Sequence, residues 1–192
     1  MVDIQIRGEI WDNDSSEVLR WLGWRDLTCP NDIAKALEAA GGDEVTVLVN
    51  SPGGDLFSGA EIRSMLRRYN GRTEALIQGY AASAATVAIS ACDVIRCESG
   101  GLCCYHNPVS TAEGDYRDMS GASKSLKNAR DTILDAYLAR PVCKTTREEL
   151  AALMDKDIFI TPTQAKEYGL IDEIVTLEGV TEPEGDPAAF VA

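Results

Sequence analysis

Segments with the pattern of β-strands alternate along this chain with segments that have the pattern of helices. Apolar, valine-rich or alternating runs predict strands at residues 2–10, 44–50, 73–79, 94–97, 102–106, 157–160 and 170–176. Helical spacing and capping patterns predict helices at residues 31–40, 81–91, 123–138, 146–154 and 161–169, and one more through Ile62, Met65, Leu66 and Tyr69. The polar, Gly-containing residues 107–121 predict a loop. The alternation is typical of an α/β fold.

The length of the chain favours a single domain. It has 192 residues, of which 45% are hydrophobic, and this is enough for one ample core. We therefore expect one domain over residues 1–176. Gly, Pro and acidic residues dominate from 177 to 192, which predicts a mobile acidic tail.

The charge of the chain excludes two classes of partner. It has 18 basic and 31 acidic residues, a net charge of −13, and no Lys/Arg run. Nucleic acid and anionic membranes are bound by positive surfaces, so neither is expected as a partner. The N-terminus lacks the basic start and apolar stretch of a signal peptide, and no run reaches the roughly 18 apolar residues of a membrane span. These observations favour a cytoplasmic protein.

The six cysteines predict neither a metal site nor a disulfide framework. Their positions form no metal-ligand spacing, and the chain has a single histidine to complete a mixed site. In a reducing cytoplasm, small buried thiols are the favoured interpretation. We expect no metal and no organic cofactor.

Residues 11–28 have no clear period and contain all three tryptophans, Trp11, Trp21 and Trp24. Two interpretations remain open for them. The tryptophans could cover the core or seal an edge of the sheet. Alternatively, they could belong to a subunit interface or a substrate rim, where Trp is over-represented.

Three segments contain residues that suit serine chemistry. Serine becomes a nucleophile when a base removes its proton and N–H donors stabilise the oxyanion. Ser83 lies where a predicted strand runs into a helix, Gly53-Gly54 lies in a turn after another strand, and His106, the only histidine, ends a third strand. If these strands are neighbours in one sheet, the three sites meet along one edge. Taken singly, they also fit a packed helix start, a plain turn and a core histidine. A Gly-x-Ser-x-Gly elbow is lacking, which disfavours an α/β-hydrolase.

The residues of these motifs and their order along the chain resemble those of the ClpP family, the proteolytic subunits of ATP-dependent Clp proteases. The resemblance covers about two thirds of the chain, from the strand at 44–50 to the strand at 170–176. The matching motifs, in order, are Asn50-Ser-Pro-Gly-Gly54, Gly79-Tyr-Ala-Ala-Ser83, His106-Asn-Pro108, and Asp155-Lys-Asp-Ile-Phe159 followed by Ala165-Lys-Glu-Tyr-Gly-Leu-Ile-Asp172.

The resemblance implies a role for each matched residue. Ser83 corresponds to the nucleophile and His106 to the general base of a serine endopeptidase. Asp157 corresponds to the acid that orients the imidazole, with Asp155 as the second candidate for that role. The backbone N–H groups of Gly54 and Ala84 would form the oxyanion hole. The implied fold is a ClpP/crotonase-like spiral of repeated ββα units, with residues 123–138 as a protruding handle helix.

The resemblance also implies partners. A polypeptide would be the substrate, and the subunits would form homo-oligomeric stacked rings, which are heptameric in the family. Ala84 after the serine and Asn107 after the histidine differ from the Met and Gln usual in the housekeeping subunit. They are closer to the ClpP-like head maturation proteases of phages and prophages. Capsid or scaffold proteins are then the expected substrates; a Clp-type ATPase is the alternative partner.

Other functions remain as alternatives. A catalytically silent ring subunit would serve assembly alone, although Ser83, His106 and Asp157 are all present. A crotonase-type acyl-CoA enzyme would share the fold and the paired N–H donors, but would not need these three residues. A Ser-Lys peptidase is disfavoured because no lysine occurs between Lys35 and Lys124.

Overall fold

The computed structural model of the chain describes residues 2–176, and its strands and helices alternate as predicted. Within this range there are eight strands and seven helices. In chain order they are β1 (Val2–Ile10), α1 (Asn13–Trp21), β2 (Leu27–Thr28), α2 (Pro30–Ala40), β3 (Val45–Gly54), α3 (Leu56–Arg68), β4 (Thr73–Ala82), α4 (Ala84–Ile89), β5 (Val94–Glu98), β6 (Leu102–Cys104), α5 (Tyr116–Leu138), α6 (Arg147–Met154), β7 (Phe159–Ile160), α7 (Pro162–Glu167) and β8 (Glu173–Val175). The predicted tail lies outside the described residues.

The sheet is mostly parallel and has helices against it, as expected for an α/β fold. Its strand order is β2-β1-β3-β4-β5-β8, and every neighbouring pair on this path is parallel. The valine-rich sequence of β3 follows from its central place, because Val45, Val47 and Val49 are completely buried. These strands and helices share one hydrophobic core, which confirms the predicted single α/β domain.

Strand β4 changes its partner along its length, and this change creates the edge where the site lies. Its first half pairs with β5, from Glu74 to Ile77, whereas its end pairs with β6, from Tyr80 to Ala82. On its other side β4 pairs with β3. The carboxyl ends of β3, β4 and β6 therefore meet at one edge of the sheet, and each is followed by a segment with a predicted functional residue.

Two local predictions were wrong, for identifiable reasons. The predicted turn at residues 51–54 belongs to β3, because Gly53 and Gly54 continue the ladder opposite Glu9 and Ile10 of β1. The predicted loop at residues 107–121 ends at Asp115, where α5 begins. The Asp115 side chain accepts hydrogen bonds from the N–H groups of Arg117 and Asp118, a cap hidden in a polar segment.

Helix α5 is fixed at its C-terminal end. Its buried residues are Ile133, Leu134 and Tyr137, whereas the N-terminal half is largely exposed. The Tyr137 hydroxyl lies 2.7 Å from the Thr86 hydroxyl, which connects α5 to α4. The handle that the resemblance implies, residues 123–138, overlaps the exposed half only in part and includes this buried end.

The tryptophan segment folds as α1 and β2, and most of it does not cover the core. Trp21 is 84% exposed and Trp24 is 54% exposed. The interpretation of these two residues as core cover was therefore wrong. The prediction of buried thiols is confirmed, because all six cysteines are free and all but Cys143 are buried. Within residues 2–176, no helix combines the length and the apolar character that crossing a membrane requires.

Candidate active site

Ser83 lies at the junction of β4 and α4 in a strained backbone conformation. Its φ of 56° and ψ of −128° lie outside the regions that a residue with a side chain ordinarily occupies. The conformation is held by hydrogen bonds at both sides of the residue: its N–H donates to Cys104 O at 3.0 Å, and its carbonyl accepts from the Thr86 hydroxyl at 2.7 Å. The Ser83 hydroxyl does not cap α4, so its oxygen is available for chemistry.

The two glycines that end β3 pack closely against neighbouring backbone, which leaves no room for side chains. A Cβ on Gly53 would lie 2.5 Å from Ala82 O and 2.7 Å from both Ala84 N and Ser83 Cβ. A Cβ on Gly54 would lie 2.2 Å from Ile10 O. Both glycines also have positive φ, at 88° and 144°. Glycine is therefore required at both positions, at Gly53 for the close approach to Ser83 and at Gly54 for the close approach to Ile10 of β1.

His106 follows β6 and is half-buried. Its Nδ1 lies 2.7 Å from the carbonyl oxygen of Asn107. A carbonyl oxygen only accepts hydrogen bonds, so this contact places the hydrogen on Nδ1. Nε2 is then the unprotonated nitrogen, which is the form that a general base needs.

Four of the predicted site residues line one cleft of about 440 Å³: Gly54, Ser83, Ala84 and His106. The rest of its wall is largely apolar, with Leu56 and Phe57 from α3 and Ile133 and Tyr137 from α5. The cleft thus brings the serine, the histidine and the two residues expected to supply the oxyanion hole together beside apolar surface. Such a site can bind an uncharged chain segment and expose a carbonyl carbon to the hydroxyl.

Asp157 is exposed, does not line this cleft and makes no hydrogen bond with His106 among the described residues. Its segment nevertheless adjoins the one that leads to the histidine. Cys104 and Phe159 form the last pair of the antiparallel β6–β7 ladder, and His106 and Asp157 each lie two residues beyond this pair. In agreement, burial and then the negative charge of Asp157 raise the pKa of the nearby Cys104 thiol.

Asp155 has a different environment. Its Oδ1 accepts hydrogen bonds from Asn107 Nδ2 at 2.8 Å and from an Arg130 guanidinium nitrogen at 2.8 Å. The residue after the histidine is thereby connected to α5. No sequence pattern connects Asn107 with Arg130. One pattern could have suggested the contact between Asn107 and Asp155: an amide side chain next to the histidine, and two acidic residues at spacing i, i+2 later in the chain.

No group of three or more His, Cys, Asp or Glu side chains within residues 2–176 is placed to hold a metal ion.

Comparison with known proteins agrees with these features. A mostly parallel α/β domain with serine and histidine in one cleft is the class that the fold and site define, and the Clp protease family model matches residues 31–178. The chain belongs to the Clp protease family.

Curated relatives carry the same family name. The ATP-dependent Clp protease proteolytic subunit of Deinococcus radiodurans is 26% identical over 134 residues, covering 69% of this chain and 65% of that protein. The chloroplastic subunit 3 of the same protease in Arabidopsis thaliana is 27% identical over 150 residues, 74% of this chain and 47% of that protein. The subunit of Mesostigma viride is 30% identical over 139 residues, 67% of this chain and 56% of that protein. The chain thus matches between about half and two thirds of the length of these relatives.

Proposed function

We propose that this chain is a serine endopeptidase that hydrolyses peptide bonds through an acyl-enzyme, within a homo-oligomeric ring. The observation that carries the proposal is the cleft that Ser83, His106, Gly54 and Ala84 line together. Membership of the Clp protease family supports it.

The mechanism follows from the available groups. His106 Nε2 takes the proton of the Ser83 hydroxyl while the serine oxygen attacks the carbonyl carbon of the peptide. The N–H groups of Gly54 and Ala84 stabilise the negative charge on the carbonyl oxygen. His106 then gives its proton to the leaving amine, which breaks the C–N bond. A water molecule, deprotonated by His106, hydrolyses the acyl-enzyme and restores Ser83.

Asp157 is the proposed partner of Nδ1 during this cycle. The β6–β7 ladder supports this choice, since Asp157 and His106 each lie two residues beyond its last pair, Cys104–Phe159. Two acceptors then compete for the Nδ1 hydrogen: the carbonyl oxygen of Asn107 and the carboxylate of Asp157. The carboxylate is the stronger partner once the imidazole becomes positively charged, because a charge-assisted hydrogen bond is stronger than a neutral one. Catalytic hydrogen bonds often shorten only when substrate is bound.

The ring and its partners are the finer part of the proposal. We assign the chain to the phage or prophage type, which processes capsid or scaffold proteins. The reason is that Ala84 after the serine and Asn107 after the histidine resemble the motifs of that type. The alternative is a general core that works with a Clp-type ATPase. Its support is that the relatives are named subunits of ATP-dependent proteases.

A catalytically silent ring subunit is the competing function, and one observation favours it: Nδ1 of His106 contacts Asn107 O in the structure. Treatment with a fluorophosphonate probe separates the two. We expect a covalent adduct at Ser83 that disappears in His106→Ala. Ser125, which lines the same cleft, provides the matched control, because Ser125→Ala should label normally. An unlabelled Ser83 in a folded oligomer would overturn the peptidase.

A further inference from the structure

We infer that the substrate cleft continues into a second groove, in which Arg63 and Arg67 bind an acidic side chain of the polypeptide. The inference rests on the proposed peptidase function and assigns it a substrate class. The groove lies between α3 and α5 and has a volume of about 390 Å³. It is continuous with the cleft at Ser83, since the two share Leu56, Phe57, Val87, Ala129 and Ile133.

The two arginines have no negative partner of their own. Neither Arg63 nor Arg67 forms an ion pair with a carboxylate among residues 2–176. Most other arginines in this part of the chain do, namely Arg20, Arg72, Arg96, Arg117, Arg130, Arg140 and Arg147. In a chain with a net charge of −13, unpaired arginines side by side are unexpected.

Their placement is also unfavourable in the absence of an anion. Arg63 and Arg67 lie one helical turn apart on α3, where like charges repel. Arg63 is half-buried, and its Nε donates to the Ser90 hydroxyl at 2.8 Å, which leaves the two terminal nitrogens for another acceptor. Burial, and then the charge of Arg67, lower the pKa of Arg63. A carboxylate between the two guanidinium groups would relieve both effects.

The wall of the groove does not neutralise this charge. Its only acidic residue is Asp135, which is hydrogen-bonded to Arg147 of α6. The remaining wall is mostly apolar, and Phe57 at the border with the cleft is 80% exposed. A peptide that leaves the cleft along α3 would pass over Phe57 and bring one side chain to the arginines. Charge complementarity selects Glu or Asp for that side chain.

Binding of matched peptides tests the inference. The Ser83→Ala protein is titrated with fluorescent peptides that have a central Leu and differ by a single Glu-to-Gln exchange, at each of three positions on either side. Fluorescence anisotropy gives the Kd. We expect one position at which Glu binds about three- to tenfold more tightly than Gln, with the difference reduced in 0.5 M NaCl.

Two variants of the same helix make the test specific. Arg67→Gln should remove most of the Glu preference, and the double variant Arg63→Gln/Arg67→Gln should remove all of it. Arg68→Gln is the matched control, since Arg68 is an exposed neighbour that does not line the groove. Equal binding of Glu and Gln peptides at every position would overturn the inference. So would a preference that survives in the double variant, or one that Arg68→Gln removes equally.

Failure of the site and failure of the peptidase give different results. Fluorophosphonate labelling of wild-type Ser83 without any Glu preference would sink the acidic subsite and leave the proposed peptidase standing. The reverse result would be a Glu preference that depends on Arg67 in a protein whose Ser83 is not labelled. It would support the acidic subsite and overturn the proposed peptidase. The thermal midpoint of each variant shows that binding was compared between folded proteins.

Discussion

The two halves of the candidate site are held in place by different forces. The nucleophile half consists of Gly53, Gly54, Ser83 and Ala84, and close backbone packing fixes it. The imidazole half consists of His106, Asn107, Asp155 and Asp157, and hydrogen bonds of half-buried and exposed side chains hold it. Steric contacts determine the positions of the residues in the nucleophile half. The positions of the side chains in the imidazole half depend on which hydrogen bonds they form.

The position of each half in the sheet explains this difference. The nucleophile half lies at the carboxyl ends of β3 and β4, which are central strands of ten residues each. The imidazole half follows β6 and precedes β7, which have three and two residues and lie off the main path of the sheet. Short marginal strands impose less on the residues that follow them. The nucleophile half is therefore preorganised, and the imidazole half can change its hydrogen-bond partners with little cost in packing.

The largest effect is expected from removing one charge of the imidazole half. Asp157→Asn should lower kcat/KM by roughly 10³–10⁴, because the amide cannot stabilise the imidazolium that forms during catalysis. The substitution suits the backbone, since Asn tolerates the positive φ of 49° at this position. Asp155→Asn is the matched control and should cost less than about tenfold, because Asp155 contacts Asn107 and Arg130 and not the imidazole. The reverse order would assign the orienting role to Asp155.

The next effect comes from adding one methyl group to the nucleophile half. Gly53→Ala should reduce labelling of Ser83 by about 10²–10³, because the new Cβ must displace the Ser83–Ala84 backbone and with it an oxyanion donor. Gly42→Ala tests positive φ alone: Gly42 has a φ of 98°, but a Cβ there would have nothing within 4 Å. It should cost about 1 kcal/mol of stability and leave labelling unchanged. Normal labelling in folded Gly53→Ala would show that this half is not sterically fixed.

The sequence predicted more of the nucleophile half than of the imidazole half. The valine-rich β3, the Gly-Gly pair and the strand-to-helix junction at Ser83 are local patterns that indicated candidate residues, whereas the roles of Gly54 and Ala84 came from the resemblance to the ClpP family. That Ser83, His106 and Gly54 would share an edge depended on their strands being neighbours, and β4 does pair with both β3 and β6. The partners of His106 did not follow, because they depend on a two-residue antiparallel strand and on α5, which is distant in sequence. The early start of α5 was missed for a related reason, since one aspartate cap is hidden in a polar segment.

A third prediction concerns the support beneath the nucleophile half. Arg140 follows α5 in the chain, and its side chain is buried against the residues that follow α4. It donates to Cys92 O at 3.2 Å and to Asp172 Oδ2 at 2.5 Å. Its side chain is only 4% exposed. Arg140→Gln would leave the Asp172 carboxylate without its partner, so we expect a loss of about 3–5 kcal/mol in the free energy of unfolding, measured by urea denaturation. Labelling of Ser83 per folded molecule should change far less. A loss of labelling without a loss of stability would connect this pair to the chemistry.

The smallest effect is expected where the imidazole half meets α5. Arg130→Gln removes the ion pair with Asp155, and Arg147→Gln removes the exposed ion pairs with Asp131 and Asp135 of α5. Either change should alter the free energy of unfolding by about 1 kcal/mol or less. Only Arg130 is connected to His106, through Asp155 and Asn107. Arg130→Gln should therefore lower kcat/KM about two- to fivefold, whereas Arg147→Gln should leave it unchanged. If both variants retain full kcat/KM, the contact with α5 does not position the imidazole. The position of the imidazole would then depend on whether the Nδ1–H group of His106 donates to Asn107 O or to the Asp157 carboxylate.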